Sequence, residues 1–103
     1  MSWFVYIVRC ADDTLYCGIT NDLPGRMVAH STGKGAKYTR RRGPVSLAFS
    51  RRCRDKRLAL RIEYQIKQLS RAQKDALVAE PKRISPIARR AQRDLRAAVY
   101  SPR

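Results

Sequence analysis

The chain is 103 residues long, which suits one domain burying roughly two-thirds of the surface its unfolded form exposes. A hydrophobic fraction of 44% excludes disorder throughout, and no run approaches the ~20 apolar residues of a membrane span. Lys and Arg number 23 against 8 Asp and Glu, and a net charge of +15 attracts polyanions by releasing their counterions, so nucleic acid is the expected partner.

The N-terminus has no positive n-region, and Arg9 ends the first apolar run early. No long basic helix with aromatic anchors offers itself to a membrane surface, so no membrane partner is expected. Cys10, Cys17 and Cys53 form no CxxC pair, and no histidine lies near them at zinc-ligand spacing. They read as reduced thiols of a cytoplasmic protein.

Residues 3–10 are β-branched and aromatic and predict a strand. Polar Ala11-Asp12-Asp13-Thr14 predicts a turn, and residues 15–20 a second strand, antiparallel to the first. Asn21 or Asp22 caps a helix that tolerates Pro24 in its first turn and runs to about His30, before Gly33-Lys34-Gly35. Residues 36–43 form a basic loop, and residues 45–50 a third strand. Asp55 then caps the clearest helix, with Leu58, Ile62, Ile66 and Leu69 at i, i+4, i+8 and i+11. Ser70-Arg71-Ala72-Gln73 fits a capping box and predicts a helix over 71–79, stopped by Pro81. Ser85-Pro86 starts a C-terminal helix with a thin stripe of Ile87, Ala91, Leu95 and Val99. The expected architecture is α/β (α+β): a three-stranded, mainly antiparallel sheet flanked by helices over residues 1–80. A basic extension, helical or partly disordered, follows over 81–103.

Within this frame a few side chains carry chemistry. Tyr6 and Tyr16 share a face of the hairpin only if paired positions sum to an even number, because side chains alternate along strands. A connection of three or five residues meets that condition; one of four does not. Their plain reading is as half-buried strand residues. Gly18 leans toward function, since a glycine inside a strand admits another backbone or a ligand. Arg26 and His30, four apart, share a helix face. Arg26 either forks onto a phosphate or stays solvated. His30 is the sole histidine, which excludes sites of several imidazoles; it is a proton acceptor or a structural group. Glu63 lies ~100° round its helix from Ile62. It therefore borders the buried face, where an unpaired carboxylate is costly. It either holds Mg²⁺, which needs little more than one carboxylate, phosphate oxygens and water, or pairs with Arg57, Lys67 or another base.

Val5-Tyr6, followed ten residues later by Tyr16-Cys17-Gly18 and then by Arg26, His30 and Glu63, resembles the GIY-YIG nuclease domain. The likeness is greatest to its small stand-alone bacterial YhbQ-like (UPF0213) group. It extends over residues 3–80 and includes Gly33-Lys34-Gly35-Ala36-Lys37 and Leu58-Ala59-Leu60-Arg61-Ile62-Glu63-Tyr64. The resemblance implies a metal-dependent endonuclease in which Tyr6 is the general base or positions the attacking water. Tyr16 would hydrogen-bond the scissile phosphate, Arg26 would stabilise its developing charge, and His30 would support Tyr6 or touch phosphate. Glu63 would hold one Mg²⁺ or Mn²⁺, and Lys37 would bind substrate. Phe4 replaces the first glycine of the family name. The family's late asparagine has no counterpart, since no Asn follows Asn21; Tyr64 and Gln68 are the nearest candidates to deputise.

Residues 34–57 carry ten Lys or Arg and one acid, Asp55. Such a surface tracks a phosphate backbone without reading sequence. Tyr38, beside Arg40 in that run, either stacks an unpaired base or anchors the loop. With no helix-turn-helix or zinc finger in view, single-stranded or branched DNA is the expected substrate, with residues 82–103 adding non-specific affinity. The competing reading is a non-catalytic RNA- or DNA-binding protein that keeps the fold.

Overall fold

The computed structural model describes residues 2–32 and 44–100, with side chains to residue 97. Lys37, Tyr38 and Arg40, like Gly33-Lys34-Gly35, lie outside the described residues. Elements follow in the order β1 (Trp3–Cys10), β2 (Leu15–Thr20), α1 (Leu23–Ser31), β3 (Val45–Cys53), α2 (Lys56–Lys67) and α3 (Arg71–Ala79). A 3₁₀ turn at Pro81–Arg83 then leads into α4 (Ile84–Tyr100). The expected α+β architecture holds: the three strands form one antiparallel sheet in the order β2-β1-β3.

The hairpin turn sets the register of everything that follows. Asp13 N–H donates to Cys10 O at 2.9 Å, and Cys10 N–H to Thr14 O at 2.8 Å, closing a connection of three residues. Asp13 takes φ 69°, a left-handed conformation that Asp tolerates better than most residues. Its carboxylate accepts from Arg9 at 2.6 Å and from Arg71 of α3 at 3.4 Å. Tyr6 consequently pairs with Gly18, and Val8 with Tyr16, so both tyrosines stand on one face.

Strand β3 runs three residues past the expected 45–50. Val5, Phe4 and Trp3 of the central strand pair with Arg51, Arg52 and Cys53 and extend it, overriding the poor strand propensity of two arginines. Between Ile7 and Val8 the register slips, with Phe49 opposite Ile7 and Leu47 opposite Val8, so Ala48 is the extra residue of a bulge.

The sheet's other face carries the core. Val5, Ile7, Cys17, Phe49 and Cys53 pack against Leu58, Ala59, Ile62 and Ile66 of α2, Leu77 of α3, and Ile84, Ala88 and Ala91 of α4. Burying a side chain such as Ile62 or Ile66, both fully enclosed, contributes about 1.5–3 kcal/mol each. The expected α4 stripe of Ile87, Ala91, Leu95 and Val99 is shifted: Ile84, Ala88 and Ala91 are buried, Ile87 and Leu95 are only partly covered, and the Val99 side chain lies outside the described residues. α4 begins at Ile84 rather than at Ser85, since the 3₁₀ turn feeds it directly. All three cysteines are free thiols and buried.

Candidate active site

Helix α1 is poorly equipped to form alone, with Pro24 and Gly25 in its first turn. Its start is fixed from outside. Asp22 N–H donates to Thr20 Oγ1 at 3.0 Å, and the Asp22 carboxylate accepts from Gly25 N at 3.2 Å, so the chain leaving β2 turns at once into helix. The only sequence signal for Thr20 is the Thr-Asn-Asp run, a cue for side-chain-capped turns. Arg26 sits in the first turn and His30 one turn on, both aimed at the tyrosine face of the sheet.

There the α1 groups converge on one atom. Tyr6 Oη lies 2.9 Å from His30 Nε2, and Arg26 Nε donates to the same oxygen at 3.3 Å. The imidazole meets both phenol rings edge-on, with centroids 5.7 Å from Tyr6 and 5.6 Å from Tyr16. Tyr6 and His30 are fully buried, while Arg26 and Tyr16 are half-buried. The close approach expected at Gly18 is made by Tyr6 itself: a Cβ there would lie 2.6 Å from Tyr6 Oη and 2.9 Å from Tyr6 Cζ.

Burial governs the charge states. It raises the Tyr6 pKa above 10.0, partly offset by the hydrogen bond and charge of Arg26. It lowers the His30 pKa below 6.5, with the Arg26 charge acting in the same direction. At neutral pH both partners of the 2.9 Å contact are therefore uncharged, and one proton lies between oxygen and nitrogen.

Glu63 arrives from the core side. Helix α2 packs on the face of Val5, Ile7 and Cys17, and Glu63 emerges beside β2. Burial first, and then the Glu63 carboxylate, push the Cys17 thiol up to about 12, against opposing pulls from Lys67 and Lys74. Cys17 lies between Tyr16 and Gly18 in the chain, so the carboxylate sits next to the strand that carries them. The side chain is 17% exposed, and its Oε2 lies 3.5 Å from Lys67 Nζ. Any ligand shared by Glu63 and the phenols would bridge the β2 edge. Lys74 had no sequence signal, because α3 brings its charge within reach of the Cys17 thiol across the fold.

Among the described residues no three His, Cys, Asp or Glu form a metal cluster. The donor set nonetheless fits Mg²⁺ or Mn²⁺ arriving with substrate, since Mg²⁺ is commonly held by one carboxylate with phosphate oxygens and water. Tyr64 and Gln68 lie in a groove against α4, where Arg61 stacks 5.1 Å from the Tyr64 ring.

Residues 2–76 match the GIY-YIG catalytic domain. A UPF0213 protein of Vibrio cholerae is 51% identical over 86 residues, covering 82% of this chain and 85% of that one. The UPF0213 protein YhbQ of Salmonella typhimurium is 53% identical over 78 residues, covering 76% and 78%. The solution structure of UPF0213 protein BH0048 from Bacillus halodurans superposes with a TM-score of 0.51 at 46% identity, over 77% of this chain and 84% of that one. The strand-borne tyrosines and the helix that faces them thus belong to a chain of the GIY-YIG nuclease family.

Proposed function

We propose that this chain is a divalent-metal-dependent endonuclease that hydrolyses phosphodiester bonds, with single-stranded or branched DNA as its favoured substrate. The observation that carries the reading is the phenolic oxygen of Tyr6 held between His30 Nε2 and Arg26 Nε. A water attacking phosphorus gives its proton to Tyr6 Oη while the phenol's own proton passes to His30 Nε2. The phenol need never become a free phenolate, which its raised pKa disfavours. The Arg26 guanidinium offsets the charge that builds on the phosphoryl oxygens. Tyr16, on the same face, hydrogen-bonds the scissile phosphate. Glu63 would hold the Mg²⁺ or Mn²⁺, whose charge would stabilise the phosphate and the departing 3′ oxygen. Lys37, Tyr38 and Arg40 belong to the substrate-binding run, and Gly18 keeps the floor beneath Tyr6 clear.

The Lys67–Glu63 ion pair favours a second reading, a basic DNA- or RNA-binding protein without turnover, because a carboxylate so occupied serves structure alone. One gel separates the two. Labelled single-stranded, duplex and forked DNA are incubated with Mg²⁺, Mn²⁺ or EDTA, using the parent protein and Glu63→Ala. Cleavage that needs metal and falls by at least ~100-fold in Glu63→Ala, with DNA binding retained, supports the enzyme. A parent protein that binds every form and cuts none leaves the binder.

A further inference from the structure

The α2–α4 side of the molecule lies outside the catalytic cluster, and α4 begins beyond residue 76, where the family match ends. Between the two helices runs a groove of about 440 Å³, within the ~300–1,000 Å³ typical of ligand clefts. Tyr64 lines it while remaining 54% exposed. Arg61 lies over the ring and is itself held by Asp94 of α4, to which it donates from Nε at 3.2 Å and from Nη2 at 2.9 Å. Gln65 donates to the same carboxylate at 3.2 Å. The one acid among the groove-lining residues fixes Arg61, and its single charge is shared with Arg90 and Arg93 beside it, leaving the rim net cationic.

The rim is cationic. Arg90 lines the groove, and Arg89, Arg93 and Arg96 are exposed on α4 at i, i+4 and i+7, a single stripe about 10 Å long. On α2, exposed Leu60 lies one turn before Tyr64. A fixed aromatic face, flat amide side chains and a row of arginines together match an unpaired base with its phosphates. Duplex DNA presents no free base face to such a ring.

We infer that the α2–α4 groove is a second nucleic-acid site, in which an unpaired base stacks on Tyr64 while the strand's phosphates run along Arg90 and the α4 arginines. The site deepens the nuclease reading by extending the substrate beyond the scissile phosphate, but it requires only binding. It is therefore tested in full-length Glu63→Ala protein with EDTA, where cleavage plays no part. Fluorescence anisotropy with a labelled single-stranded oligothymidylate should weaken about tenfold on adding Tyr64→Ala, and recover with Tyr64→Phe. Duplex affinity should stay unchanged. Arg90→Ala should lower the salt slope of single-strand binding by about 1. An oligonucleotide carrying a fluorescent base analogue should lose its quenching with Tyr64→Ala alone. Single-strand affinity untouched by Tyr64→Ala, or an equal loss on single and double strands, overturns the proposal. Failure of the parent protein to cut DNA would sink the nuclease reading and leave this one standing.

Discussion

Helices α1 and α2 flank the same sheet and are held to it in opposite ways. α2 is capped by Asp55 and buries Leu58, Ala59, Ile62 and Ile66, so its position rests on apolar contact. α1 has Pro and Gly in its first turn, and His30 is its one buried residue. Polar contacts of His30 and Arg26 with Tyr6 tie α1 to the sheet, beside its packing on β3. In α2 the candidate functional group, Glu63, decorates a helix that would stand without it; in α1 function and anchorage are one set of bonds. Substitutions in the two helices should therefore separate rate from stability in α2 and confound them in α1.

The largest effect is expected from Tyr6→Phe, which removes the oxygen common to both α1 contacts. Cleavage should fall by ~10²–10⁴-fold, the range for loss of a general acid–base group. Hydrogen exchange should quicken in α1 while α2 stays protected. Equal quickening in both helices would refute the distinction. Gly18→Ala tests it without removing a reactive group, because the added methyl meets Tyr6 Oη and Cζ and forces the ring off His30. We expect about 1–3 kcal/mol lost in chemical denaturation and a rate loss of roughly 10–100-fold. A Gly18→Ala protein cutting at the parental rate would mean the ring's placement is immaterial.

The smallest effect is a dependence on pH. The folded His30 pKa lies below 6.5, so the unfolded chain takes up this proton first as pH falls. The contribution of the neutral imidazole is present above pH 6.5 and is lost as pH drops through that value toward the folded pKa. Melting temperatures measured between pH ~8 and ~5 should decline more steeply for the parent than for His30→Gln. Parallel curves would show that the imidazole is not held neutral by burial.

Much of this was legible in the residues. The strands, the caps at Asp22, Asp55 and Ser70, and the stripe of α2 follow from local chemistry, and the structure keeps them, except that α2 ends at Lys67 and leaves Leu69 partly buried just beyond it. Arg26 and His30 could be placed on one face by counting alone. Counting could not say that both reach a single oxygen, because that depends on where α1 crosses the sheet. β3 outran its pattern because pairing partners rather than propensity held Arg51 and Arg52 extended. Gly18 could be read as making room, but not for what: the intruder is a side chain from the neighbouring strand. Glu63 was rightly placed at the margin of a buried face, while its approach from the far side of the sheet is a matter of tertiary packing that helix geometry does not contain.

The three-residue turn at Ala11, Asp12 and Asp13 has a consequence for how such a protein can vary. Adding or deleting a single residue there, with no reactive group altered, would rotate β2 by half a pleat and carry Cys17 and Ile19 to the side of the imidazole. Tyr16 would then be driven into the apolar interior, and the space under Tyr6 would fill. Loop length, which most surface turns are free to change, is here as constrained as any side chain in the cluster.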